Sequence, residues 1–213
     1  MAFTITERLL PPGMNRPGTA IKVRGVISHI TGNASPSADA LSHYNYFAGA
    51  NRNGSAHYFT DHQTILRIIP ESEMAWHAGL ITNPDWRLGN PNTWAVGVEM
   101  CQNYPFMSAE GDMAYRKYVW LHADICRRYG LDPRQDIYGH FEIDPVNRGN
   151  DPKAFFNWDM FIEDVAREHD KMGEVGPPAN ADLLNRVAVL EADNKEMAAT
   201  LKQIAAMTAR YGG

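Results

Sequence analysis

Cysteine is scarce, with only Cys101 and Cys126 in 213 residues. Two thiols make no disulfide framework, so both are expected as reduced core residues and the fold must rest on a hydrophobic core. Long apolar runs are missing too, and the opening MAFTITERLLPPG has no basic segment followed by an apolar one. The chain is therefore read as carrying no secretion signal, membrane span or membrane anchor. An excess of positive charge is the third absence. With 20 Lys and Arg against 25 Asp and Glu, the formal charge is −5. That leaves no basic face to neutralise phosphates, which sets nucleic acid aside as the main partner, and no strong pull toward an anionic cell-wall surface. What the chain does have is material for a core. Hydrophobic residues make up 44% and charged ones 21%, a balance ordinary for one globular domain with an appendage too short to fold alone.

Residues 21–31 place Val23, Val26 and Ile27 among small or polar neighbours and end at Gly32-Asn33, which predicts a strand followed by a turn. Residues 38–50 follow with Leu41 and Tyr44 on one helical face, until the Asn-rich 51–54 breaks the pattern. Residues 57–60 and 64–69, separated by Asp61-His62-Gln63, read as a hairpin, and 94–101 as a further strand. Between them, 71–92 is rich in Pro, Gly, Asn and Trp and long for a connection, hence a candidate binding loop. Residues 109–129 carry Tyr115, Tyr118, Val119, His122, Ile125, Cys126 and Tyr129 at helical spacing, with Gly130 placed to end the helix. A last helix is expected over 158–170, with Phe161, Ile162 and Val165 as its apolar face. Strands interspersed with helices predict an α/β fold, a central mixed β-sheet flanked by helices.

A hydrolytic zinc site needs three protein ligands and an open fourth position. His29 lies near the end of the first strand, His140 after the long helix, and Asp151 eleven residues beyond His140. Each histidine taken alone is better explained as a structural or surface residue, and the spacing of the three positions does not by itself make a site. Five ordered segments do more: VISHITG at 26–32, SAHYF at 55–59, AWHAG at 75–79, VGVEM at 96–100, and Gly139-His140 through Asp151-Pro152. Together they resemble the type 2 N-acetylmuramoyl-L-alanine amidases, a family that includes many phage endolysins and shares its fold with the peptidoglycan recognition proteins. The resemblance covers roughly residues 20–165.

What the resemblance implies can be stated residue by residue. His29, His140 and Asp151 are the expected Zn²⁺ ligands, and Glu99 matches the strand carboxylate that serves as general base, although a lone strand Glu is otherwise an ordinary exposed residue. The implied reaction splits the lactyl amide between N-acetylmuramic acid and L-alanine in bacterial peptidoglycan. Zn²⁺ would acidify water and polarise the carbonyl. His77 is expected to stabilise the oxyanion or hold substrate, with a structural role as the alternative, and Arg148 takes an oxyanion or substrate role. Trp76 and Trp94 are expected to contact substrate, through stacking or simply as packing, and His57 to shape the cleft floor. Two positions depart from the family pattern: Gly149 stands where relatives commonly carry Lys, and Ala56 where some carry Tyr. His43, His62, His122 and His169 are read as structural.

The domain reading is a catalytic domain at 1–172, a linker at 173–182 and a coiled-coil helix at 183–213. Leu183, Leu190, Met197, Ile204 and Tyr211 fall at d, and Val187, Asn194, Leu201 and Thr208 at a, so a homodimer through this seam is expected. Together with the absence of a leader, the resemblance implies a phage endolysin made in the host bacterial cytoplasm that reaches the wall through a holin or on lysis, with a cytoplasmic enzyme recycling wall fragments as the alternative. The competing readings are a non-catalytic peptidoglycan-binding module of the same fold, which would lack a ligand or the carboxylate, and a zinc peptidase cutting within the stem peptide.

Overall fold

Two six-residue stretches rich in branched and small residues form the centre of the sheet. They are β2 (Gly25–Ile30) and β5 (Ala95–Met100), paired in parallel. In the computed structural model, which describes residues 2–174, they belong to a six-stranded sheet with β1 (Ile5–Glu7), β3 (Tyr58–Thr60), β4 (Ile65–Arg67) and β6 (Ile137–Gly139). The strand order is β1-β4-β3-β5-β2-β6, and the β3–β4 hairpin is the antiparallel pair that makes the sheet mixed. Period-2 alternation then sorts side chains between the two faces. Val26, Val96, Val98 and Met100 pack into the main core, while Gly25, Ile27, His29, Ala95, Gly97 and Glu99 look the other way.

The main core is closed by α2 (Ala109–Tyr129) and α5 (Trp158–Glu174), through Tyr118, Leu121, Ile125, Phe161 and Val165. Helix α2 is well terminated. Ser108 caps its first turn by accepting from the Gly111 amide at 3.1 Å, Glu110 and Asp112 sit near the positive end, and Arg127 and Arg128 near the negative end. Gly130 takes the left-handed conformation (φ 65°) that ends the helix and returns its amide to the Cys126 carbonyl. On the opposite side of the sheet lie α1 (Ala40–Gly49), against Phe59 and Leu66, and the short helices α3 (His140–Ile143) and α4 (Pro145–Arg148). Asp61 ties the hairpin to α1: Oδ1 accepts from Gln63 and Thr64 at 2.7 Å each, and Oδ2 from the Ala40 amide at 2.9 Å.

The expected helices and hairpin are present, with shifts at the ends. Residues 21–24 run up to β2 without joining the sheet, because the Ile21 and Arg24 amides bond to the Ser72 and Trp94 carbonyls instead. Strands β1 and β6 are three residues each, too short for a period to be legible. Helix α5 continues to Glu174, past the predicted end at 170. Cys101 and Cys126 are buried and unpaired. The expected coiled coil at 183–213 and nearly all of the expected linker lie outside the described residues.

Shortly after β4, Glu71 is buried against Arg128 of α2. The guanidinium meets it at 2.5 and 2.7 Å, and Tyr58 and Tyr129 add hydroxyl bonds at 2.8 and 2.9 Å. Burial alone would raise the Glu71 pKa, but the Arg128 charge and these bonds outweigh it and hold the group down at about 2. A carboxylate with a depressed folded pKa stabilises the fold above its unfolded pKa, near 4.5, and that stabilisation is lost as pH falls toward 2. Chemical denaturation of Glu71→Gln should therefore show a loss on the order of 3 kcal/mol at pH 7, with a flatter acid dependence between pH 4.5 and 2. An unchanged slope in that window would remove Glu71 from the acid response.

Candidate metal centre and groove

Three chain segments converge beyond the C-terminal ends of β2 and β5. His29 is the fifth residue of β2 and stands in register with Glu99 on β5, so both side chains leave the same face as neighbours. His140 opens α3 directly after β6, which pairs with β2 on its other side. Asp151 arrives from the turn after α4 and is oriented by the Ile30 amide, which donates to Oδ1 at 2.8 Å and leaves Oδ2 facing the histidines.

The distances test whether a metal fits. His29 Nδ1 and His140 Nδ1 are 3.0 Å apart, and Asp151 Oδ2 lies 3.1 Å from His140 Nδ1 and 3.5 Å from His29 Nδ1. A tetrahedral ion with bonds near 2.1 Å spaces its ligands roughly 3.4 Å apart, so this triangle has the size of one tetrahedral face. A single proton between two imidazole nitrogens cannot satisfy both rings and the carboxylate, whereas a cation takes all three lone pairs. Burial pulls the His29 pKa down, partly opposed by the nearby Asp151 carboxylate, which leaves that ring neutral. Burial works to raise the Asp151 pKa, but the hydrogen bond from His140 and the closeness of His29 hold it well below the ordinary carboxylate range. Among the described residues this is the only group of three such ligands.

Glu99 is half-buried, yet its Oε2 is fully enclosed without a hydrogen-bond partner. Desolvation, reinforced by the charge of Asp151, pushes its pKa well above the ordinary carboxylate value, and Arg148 pulls the other way. An enclosed carboxylate with high proton affinity is suited to accept a proton near neutral pH. Glu99 and His77 form one end of a groove of about 620 Å³ that runs along α1. Its walls carry Ser35, Ser37, Ser42, His43, Tyr46 and Trp76.

The residues expected from sequence thus occupy different places. His29, His140, Asp151 and Glu99 come together, Trp76 lines the groove, and Arg148 is exposed with its charge felt at both Glu99 and His29. His57 lies beneath: Nε2 donates to the Glu73 carbonyl at 2.8 Å and Nδ1 accepts from the Gly97 amide at 2.9 Å. Trp94 is 4% exposed and packs with Trp86 and Tyr138 over Gly25, where a Cβ would come within 2.7 Å of its ring. His77 also lies mostly within the protein, its ring between His29 and the Ala95 carbonyl. Gly149 has a local reason, since a Cβ there would sit 2.6 Å from the Pro145 carbonyl oxygen. The groove role of His43 went unread. Its ring stacks on Phe59 at 5.0 Å, and only the Ser-rich 33–37 stretch hinted at a polar wall nearby.

Comparison with known proteins agrees with this geometry. The profile of a family described as N-acetylmuramoyl-L-alanine amidase matches residues 19–154. The N-acetylmuramoyl-L-alanine amidase CwlH of Bacillus subtilis is 35% identical over 177 residues, covering 82% of this chain and 66% of that protein. BlyA, an amidase of the same name and organism, is 35% identical over 146 residues, covering 62% of this chain. The chain spans only 38% of BlyA's length. Among solved structures, a mutant endolysin from Bacillus subtilis superposes with TM-score 0.64 at 25% identity, over 77% of this chain and 99% of that one.

If the triangle holds a metal, losing one corner should empty it, because two ligands retain a divalent ion poorly. Elemental analysis after dialysis should find close to one metal per chain in the wild type and little in His140→Ala or Asp151→Ala. Full metal content in Asp151→Ala would exclude that carboxylate from the centre.

Proposed function

The chain belongs to the N-acetylmuramoyl-L-alanine amidase family, and from that membership we propose that it is a zinc hydrolase cutting the lactyl amide between N-acetylmuramic acid and L-alanine in bacterial peptidoglycan. The observation that carries the proposal is the groove-lining Glu99 carboxylate, its enclosed Oε2 without a partner, in register beside a ligand triangle of tetrahedral size. A recognition module of the same fold has no need for that carboxylate.

The donor set of two imidazoles and one carboxylate suits Zn²⁺, with His29, His140 and Asp151 as its ligands. When bound, zinc supplies Lewis acidity, which lowers the pKa of water and polarises a carbonyl. The remaining steps belong to side chains. Glu99, in register beside His29, takes a proton from the attacking water. The same carboxyl then delivers the proton to the alanine nitrogen as the carbon–nitrogen bond breaks. The Arg148 charge, felt at Glu99 and His29, favours the negative charge that grows on the carbonyl oxygen. Trp76 offers a broad apolar face to the substrate in the groove, and the hydroxyls of Ser35, Ser37 and Ser42 offer hydrogen bonds. His57 and Trp94 act from below, by holding strands and loop in place.

The likeness to a Bacillus subtilis endolysin supports a role in lysing the host from within, with passage to the wall through a holin. No helix among the described residues is long and apolar enough to cross a membrane. The heptads of 183–213 support a homodimer, and sedimentation of the full chain as a monomer at high micromolar concentration would overturn it.

Two measurements test the chemistry. Mass spectrometry of digested peptidoglycan should show new free L-alanine amino termini, while new termini inside the stem peptide would make the protein a peptidase. Glu99→Gln keeps the side-chain shape and removes the base, so it should retain zinc and bind wall fragments while turnover falls at least about a hundredfold. Near-normal turnover would reduce Glu99 to a structural residue.

A further inference from the structure

Both ring nitrogens of His77 are engaged inside the protein. Nδ1 lies 3.1 Å from His29 Nε2, and Nε2 lies 3.3 Å from the Ala95 carbonyl oxygen. A carbonyl can only accept, so the proton of His77 resides on Nε2. Its Nδ1 is then the acceptor, and His29 must donate through Nε2–H. A His29 ring protonated at Nε2 has a free lone pair on Nδ1, the atom that faces His140 and Asp151. The chain of bonds leaves His77 no N–H to offer a substrate oxyanion.

Two further features hold this ring in place. Asn92, 7% exposed, accepts from the His77 and Ala78 amides at 3.0 and 2.9 Å and donates to the Ala78 carbonyl at 2.9 Å, pinning the backbone on which the ring is mounted. Gly97 clears the space beneath: a Cβ there would fall 2.4 Å from His77 Cγ. The Gly97 amide is itself bonded to His57 Nδ1, so the strand cannot easily shift to make room.

We propose that His77 is a positioning residue that locks His29 in the Nε2–H tautomer and so presets Nδ1 as a metal ligand, with Asn92 and Gly97 as its supports. This rests on the reading of His29, His140 and Asp151 as a zinc site. The orientation of a ligating histidine by a partner on its other nitrogen carries roughly a 10- to 100-fold effect on metal affinity, and here the partner is a second histidine backed by a carbonyl.

The test combines a spectrum with a titration. In long-range ¹H–¹⁵N correlation spectra of the metal-free wild type at pH 8, His29 should appear with Nε2 protonated and Nδ1 bare. In His77→Leu the lock is gone and the two tautomers should mix, while zinc affinity measured by chelator competition falls about 10- to 100-fold. His77→Gln, whose carboxamide can again accept from His29 and donate to Ala95, should recover most of that loss, which distinguishes the lock from bulk packing. Gly97→Ala, which displaces the ring without removing it, should weaken zinc as His77→Leu does. A wild-type His29 protonated on Nδ1, or a zinc affinity unchanged in His77→Leu, overturns the proposal. A wild type that shows the expected tautomer but takes up no zinc instead brings down the metal reading on which the proposal stands.

Discussion

The parallel pairing of β2 with β5 is the constraint on which the rest of the site depends. Its register sets His29 beside Glu99, Ile27 beside Gly97 and Gly25 beside Ala95, all on one face. A slip of one residue would turn His29 and Glu99 into the main core and expose the valines that α2 covers. The core therefore enforces the chemistry. Val26, Val96, Val98 and Met100 are completely buried on the far face, and their burial holds the metal-facing residues in line. From the same far face, Tyr118 reaches through to donate to the His29 carbonyl at 3.1 Å, and His122 bonds Ser28 at 2.8 Å. The ligand strand is thus gripped from behind by side chains that never touch the groove.

Burial also decides the charge state of the site. Desolvation pulls His57 down to about 4 and His122 to about 3, and lowers His29 and His77. These four rings are neutral at neutral pH, so at the triangle His29 presents a nitrogen lone pair to a cation instead of a positive ring. The negative charge is divided unequally. Asp151 is held ionised by its histidine partners, whereas Glu99 stands enclosed without one and binds its proton more tightly. Two neighbouring carboxylates with opposite shifts fit the proposed division of labour between a metal ligand and a base.

The loop of 71–92 shows how a long connection becomes a rigid wall. Thr82 and Asn83 both donate backbone amides to the Ile143 carbonyl at 3.1 Å, and Asn83 Nδ2 reaches the Glu142 carbonyl at 2.7 Å. The loop is thereby fastened to the helices that deliver His140. Its last residue, Asn92, accepts from the His77 amide at 3.0 Å and so closes the segment on itself. One stretch of chain with little regular structure therefore supports a ligand, a groove wall and the base of the sheet together.

Much of this was legible in the residues. The helical spacing from Tyr115 to Tyr129, the stop at Gly130 and the hairpin around Asp61 follow from local preferences, and local preferences are written in consecutive residues. The likeness of five ordered segments pointed to His29, His140, Asp151 and Glu99 together. Strands β1 and β6 stayed hidden, since three residues carry no period and their pairing is decided by neighbours distant in sequence. The roles of His43, His57, His77 and Trp94 were hidden for the same reason. Whether a histidine faces a groove, a carbonyl or another histidine is set by contacts such as the 3.1 Å between residues 29 and 77. The sequence by itself determined which residue types and local elements were available to build a hydrolytic centre. Only the tertiary structure decided which nitrogen points where, because hydrogen-bond direction in a buried site depends on groups that the chain brings together from far apart.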